Sequence, residues 1–100
     1  MTTNTMRPVH PGEILREEFL VPFDLSANAL ALALKVPAPR INDIVREKRA
    51  ITPDTALRLA RYFGTTPEFW LNLQTAYDLR KARSELVETI EREVSPRVAA

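Results

Sequence analysis

The chain has no cysteine, which excludes disulfides and thiolate metal sites. It holds only two glycines in 100 residues, against many alanines and leucines, a balance that favours helices over a strand-rich fold. No stretch approaches the roughly 18 consecutive apolar residues of a membrane span. Residues 1–6 are polar and lack the apolar run of a secretory signal. Without cysteines the redox compartment stays open, and a reducing cytoplasm is the default expectation. There is one histidine, His10, and it stands at a helix start, where capping is the commoner role. No serine has a histidine and acid partner in any motif. Glu17 and Glu18 are adjacent, so they point about 100° apart on a helix and form no catalytic pair. No catalytic constellation emerges, so the chain is not expected to be an enzyme, and neither cofactor nor metal is expected.

What remains is one domain's worth of chain, 45% hydrophobic and with a net charge of only +1. The charge is unevenly spread. Residues 35–49 hold five basic residues (Lys35, Arg40, Arg46, Lys48, Arg49) against Asp43 and Glu47, a net of +3. Residues 1–34 hold two basic and four acidic residues, a net of −2. A basic island of this kind is either a solvated helix face or a nucleic-acid footprint.

Start and stop signals divide the chain into helices. His10-Pro11-Gly12-Glu13 opens the first, with Pro in the first turn and Glu where the helix dipole favours it, and Pro22 ends it by about Val21. Ser26 caps the second, and Ala27, Leu30, Ala31 and Leu34 repeat at the spacing of one helical face. Val36-Pro37-Ala38-Pro39 interrupts that run. A third helix is expected from near Pro39 to about Glu47, with Ile41, Ile44 and Val45 inward. Thr52-Pro53-Asp54 opens a fourth, which Gly64 closes as a left-handed cap. Thr66-Pro67-Glu68 opens a fifth. From Arg80 the chain stays amphipathic and helix-prone until Ser95-Pro96. The expected organisation is a flexible arm at 1–8, a helical domain at 9–79 and a C-terminal helical extension and tail at 80–100.

The informative unit is residues 26–49: a short capped helix, a tight turn and a second short helix with an apolar inner and polar outer face. That is the helix-turn-helix plan, in which the second helix lies in the major groove of DNA. On this reading Ser26, Ala27, Asn28, Lys48 and Arg49 are the phosphate-contacting candidates. Ala38, Pro39, Arg40, Asn42, Asp43 and Arg46 are the base-reading candidates. Arg prefers guanine, Asn adenine, and Asp accepts from cytosine, while Ala38 can touch only a thymine methyl. Asp43 also repels phosphate, so its other reading is an ion-pair partner for Arg46. Leu32, off the buried stripe, is either an ordinary exposed leucine or a partner contact.

The stretch SANALALALKVPAPRINDIVREKR resembles the helix-turn-helix of XRE-type regulators. HPGEILREEFL (residues 10–20) and ITPDTALRLARYFGTTPEFWLNLQTAYDL (residues 51–79) are similar to HigA antitoxins, most specifically over 66–79. The resemblance implies an all-α, five-helix XRE/lambda-repressor-like domain that acts as a homodimer on a palindromic operator, represses its own operon and neutralises a HigB-like mRNA-cleaving toxin. Trp70, Leu73 and Tyr77 are then candidate dimer contacts, Trp70 and Tyr77 being core or dimer residues rather than a base-stacking platform. Two positions depart from the pattern. Lys35 holds a turn position usually occupied by Gly, so that turn is either distorted or less stable. Ala38 and Pro39 begin the reading helix without hydrogen-bonding side chains. Two further readings are a stand-alone XRE regulator without a toxin and a protein-interaction module with a degenerate helix-turn-helix.

Overall fold

Every helix but one begins at a side chain that caps it. In the computed structural model, which describes residues 7–98, His10 Nδ1 accepts from the Gly12 N–H at 2.8 Å and opens α1 (Pro11–Ile14). Ser26 Oγ accepts from Ala29 at 3.0 Å and opens α2 (Ala27–Leu34). Thr52 and Thr66 cap α4 (Pro53–Phe63) and α5 (Pro67–Glu93) in the same way. The exception is α3 (Ala38–Val45). It begins at Pro37 and carries Pro39 in its first turn, where a missing N–H leaves nothing unsatisfied. Among the described residues all regular structure is helical, and the five-helix expectation holds. Of the arm expected at 1–8, residues 1–6 lie outside the described residues, while Arg7 pairs with Glu13 at 2.8 Å.

Helix α1 does not simply continue to Val21. It passes without a break into a wider π-helical stretch, Leu15–Leu20, marked by the Val21 N–H bonding the Arg16 carbonyl at 3.0 Å. Bonding five residues back brings residues five apart toward one face. Leu15 and Leu20 are accordingly both buried.

The core gathers the inward faces of all five helices around Leu15, Leu30, Ile41, Ile44, Leu59 and Trp70. Gly12 permits the closest approach within it. A Cβ there would lie 1.7 Å from the Ile44 carbonyl oxygen, so α1 seats directly against the reading helix only because residue 12 has no side chain. Trp70 is fully buried, and its indole N–H donates to Thr65 Oγ1 at 2.8 Å. This corrects its assignment as a candidate dimer contact: a side chain with no exposed surface in its own chain is a core residue. Leu73 packs at the edge of the core and Tyr77 sets its ring edge-on to His10, with centroids 4.8 Å apart.

Helix α5 runs unbroken through the 79/80 division. Its buried residues are Trp70 and Gln74, in its first third. Beyond Tyr77 it leaves the domain, and Leu79, Leu86, Val87 and Ile90 remain half-exposed.

Candidate nucleic-acid interface

Two short helices joined by residues 35–37, the first of them left-handed, form the reading unit. Lys35 adopts φ 61° and ψ 44°, the Lys35 N–H bonds Ala31 and Leu32 carbonyls, and the Val36 N–H bonds the Ala31 carbonyl at 3.1 Å. This is a regular left-handed helix stop, so the turn is undistorted and Lys35 bears the conformational cost of about 1 kcal/mol. Glu47, at φ 65°, ends α3 in the same way, with the Lys48 N–H bonding the Asp43 carbonyl at 2.8 Å.

Ile41 and Ile44 anchor α3 in the core and turn its opposite face outward. There Ala38, Pro39, Asn42, Asp43 and Arg46 line one shallow open depression, together with Asn28 of α2. Five of the six expected base-reading residues are thus brought together. Arg40 is not among them. It stands on the flank of α3 toward α4, in a separate hollow with Arg49, Thr52, Asp54 and Thr55. Asn42 Nδ2 donates to Asn28 Oδ1 at 2.8 Å, which ties the two helices of the unit across the outer face. Asp43 faces Arg49 at 3.8 Å rather than Arg46, and Arg46 is exposed.

Of the expected phosphate contacts, Ser26, Asn28, Lys48 and Arg49 are exposed, whereas Ala27 is half-buried against the core and offers only its backbone. The Ser26 hydroxyl is already used to cap Ala29. The N–H groups of Ala27 and Asn28 fall in the first turn of α2, where helix geometry leaves donors without an intrahelical partner, a natural seat for a phosphate.

Several residues that hold this surface in place were missed by the sequence reading. Arg16 donates to the Val45 carbonyl at the end of α3 and reaches Glu47 at 3.4 Å. Its guanidinium is held above its usual pKa, first by Glu17 and then by Glu47. Arg58 donates to the Leu34 carbonyl at the end of α2, 2.9 Å away. Gln74, buried in α5, accepts from the Ile51 N–H at 2.7 Å and fixes the loop that follows the basic stretch. These ties span 23 to 29 residues, so no local spacing announces them. Asp54 accepts from both Arg58 and Arg40, which hold its carboxyl below the usual carboxylate range, Arg58 first.

An outward, basic-flanked helix, seated by two isoleucines and joined by a tight turn to a capped partner helix, defines the class: an XRE-like helix-turn-helix protein. A helix-turn-helix family model matches residues 15–70. Virulence-associated protein I of Dichelobacter nodosus is 63% identical over 82 residues, covering 82% of this chain and 76% of that protein. The Pseudomonas aeruginosa antitoxin HigA, solved with the higBA promoter, is 56% identical with a TM-score of 0.89, covering 92% of this chain and all of that one (100%). The antitoxin GraA, solved in complex with its operator, is 52% identical with a TM-score of 0.89, covering 99% and 100%. The chain belongs to the HigA-type antitoxin family, whose members are DNA-binding antitoxins and regulators rather than enzymes. No helix of the described residues is long and apolar enough to cross a membrane.

Proposed function

We propose that this chain binds the palindromic operator of its own operon as a homodimer, represses transcription there, and neutralises a HigB-like ribonuclease toxin. The observation that carries the reading is the outer face of α3, where Ala38, Pro39, Asn42, Asp43 and Arg46 converge. Ser26, Asn28, Lys48 and Arg49 are exposed, and Asn28 lies in the same depression. A relative 56% identical has been solved with the higBA promoter and one 52% identical with its operator, which supports operator binding here. Arg46 and Arg40 read guanine, Asn42 reads adenine, Asp43 accepts from cytosine and Ala38 meets a thymine methyl. Lys48, Arg49 and the first turn of α2 take phosphates.

Dimer formation rests on the part of α5 that leaves the domain. Its half-exposed Leu79, Leu86 and Ile90 recur near one face of the helix, and Leu73 and Tyr77 lie at its root. Pairing with a second copy covers that stripe and sets two reading helices about 34 Å apart, one turn of DNA.

The test is fluorescence anisotropy on DNA from immediately upstream of the operon, across a salt series, with unrelated DNA as competitor. The expected result is binding that survives the competitor and falls steeply with salt. Arg49→Ala lowers the salt slope by about one and weakens all sequences alike. Binding no better than the competitor overturns the operator reading and favours an interaction module. Operator binding without a neighbouring ribonuclease gene overturns the toxin half and leaves a stand-alone regulator.

A further inference from the structure

Asp54 is not among the expected DNA contacts, yet one of its oxygens takes guanidiniums from α3 and α4, and one of those guanidiniums also reaches α2. Oδ2 accepts from Arg58 Nε at 3.0 Å and from Arg40 Nη1. Arg58 Nη1 in turn donates to the Leu34 carbonyl, the last residue of α2, at 2.9 Å. The first turn of α3, the first turn of α4 and the end of α2 are thereby joined through two guanidiniums and one carboxylate.

The order of support within this group matters. Asp54 lies in the first turn of α4, where the helix dipole favours an anion. Arg58 is one turn further along the same helix and is itself fixed to α2. The carboxylate is therefore held by α4 and Arg58 before Arg40 meets it. Arg40 uses Nη1 alone in this contact, which leaves Nη2 and Nε as unengaged donors. A guanidinium reads guanine through two parallel hydrogen bonds in one plane, so its orientation before contact decides whether both can form. Arg40 stands on the flank of α3, apart from the other base-reading residues, and an unrestrained side chain there could follow a phosphate as readily as a base.

We propose that Asp54 is a positioning residue for operator recognition: it holds the Arg40 guanidinium so that its two free nitrogens face the base edges rather than the phosphates. This rests on the reading of Arg40 as a base contact. The sign of the effect separates it from simpler roles. A carboxylate that only repels DNA, once neutralised, strengthens binding to every duplex. One that only supports the fold, once removed, weakens binding to every duplex. A positioning carboxylate, once neutralised, weakens binding to the operator and strengthens binding to unrelated DNA, because Arg40 is released to the phosphates.

The experiment compares the full chain, Asp54→Asn, Arg40→Ala and the double variant by fluorescence anisotropy. It uses the duplex upstream of the operon and an unrelated duplex of equal length at matched salt, with circular dichroism to verify that each variant is folded. Asp54→Asn is expected to bind the operator more weakly by up to about fivefold, the most an exposed ion pair supports, and the unrelated duplex more tightly. In the Arg40→Ala background, Asp54→Asn is expected no longer to weaken operator binding. A shift of both duplexes in the same direction overturns the inference, as does an Asp54→Asn effect that persists without Arg40. An unsubstituted chain that does not distinguish the operator from the unrelated duplex overturns the operator reading first, and this inference with it.

Discussion

Residues 10–77 and residues 78–93 share a vocabulary of leucine, alanine and alternating charge, yet they end differently. In the first region Leu15, Leu30, Ile41, Ile44, Leu59 and Trp70 lose all their exposed surface. In the second, on the same continuous α5, Leu79, Leu86, Val87 and Ile90 keep 43% to 49% of theirs. Helix formation needs only local preference, and in the overhang Lys81 and Glu85, then Glu88 and Arg92, are spaced to support it. Burial needs an opposing surface, which residues 10–77 supply to themselves and the rest of the described chain does not supply to the overhang. The first region buries its own core, and the second, in the dimer proposed above, is half of an interface.

Substitutions can sharpen or break that contrast. Trp70→Ala is expected to lower unfolding stability by about 3–5 kcal/mol in urea denaturation, since it empties the centre of the core. A loss below about 1 kcal/mol would mean that the domain does not rest on this core. Gly12→Ala comes next, at about 1–3 kcal/mol, because the added methyl meets the Ile44 carbonyl and α1 must shift away from the reading helix. Lys35→Gly runs the other way and is expected to gain about 1 kcal/mol by removing left-handed strain. A loss of stability there would show that Lys35 does more than turn the chain.

His10 gives a smaller, pH-dependent effect. Burial is the main cause that holds its pKa below the usual 6.5. As pH falls through that value the unfolded chain takes up a proton that the folded ring resists, so stability is complete above 6.5 and declines below it until the folded ring also protonates. Protonation also removes the Nδ1 acceptor that caps α1. His10→Asn, which keeps an acceptor at the cap without titrating, is expected to flatten thermal stability between pH 5.5 and 7.5, a window set around the usual histidine range.

The smallest effect on the fold is expected from Leu86→Glu combined with Ile90→Glu. At concentrations where the chain is monomeric, such exposed changes stay within about 0.5 kcal/mol of the parent. The same pair is expected to abolish the dimer in sedimentation. A large loss of monomer stability would erase the distinction between the two regions.

Much of this architecture could be read in advance because helix ends are local events. Ser26, Thr52, Thr66 and Gly64 mark boundaries through their own side chains or lack of one, and the structure bears out each. The reading unit was legible for the same reason, since Ile41 and Ile44 set its inward face by spacing alone. The wide turn at Leu15–Leu20 was not, because no proline, glycine or capping side chain within it marks the change of winding. Nor were the positive-φ positions at Asp24 (φ 52°) and Glu47 (φ 65°), since neither is a glycine and a non-glycine residue adopts that conformation uncommonly. The separation of Arg40 from its neighbours escaped notice because it depends on Asp54, fourteen residues later. Trp70 was left between core and dimer because an aromatic at helical spacing signals burial without saying whether the burying surface lies in the same chain or another.

The unbroken course of α5 has a mechanical consequence. From 78 to 93 the helix is a strut about 24 Å long at 1.5 Å per residue. With no hinge between its apolar end and Trp70 in the core, a tilt of about 5° at one end carries the other through about 2 Å over such a length. In the proposed dimer, the gap between two reading heads is then set by how two struts lean on each other. Anything that wedges them apart alters the pitch of DNA the pair can straddle, without touching a residue that meets a base.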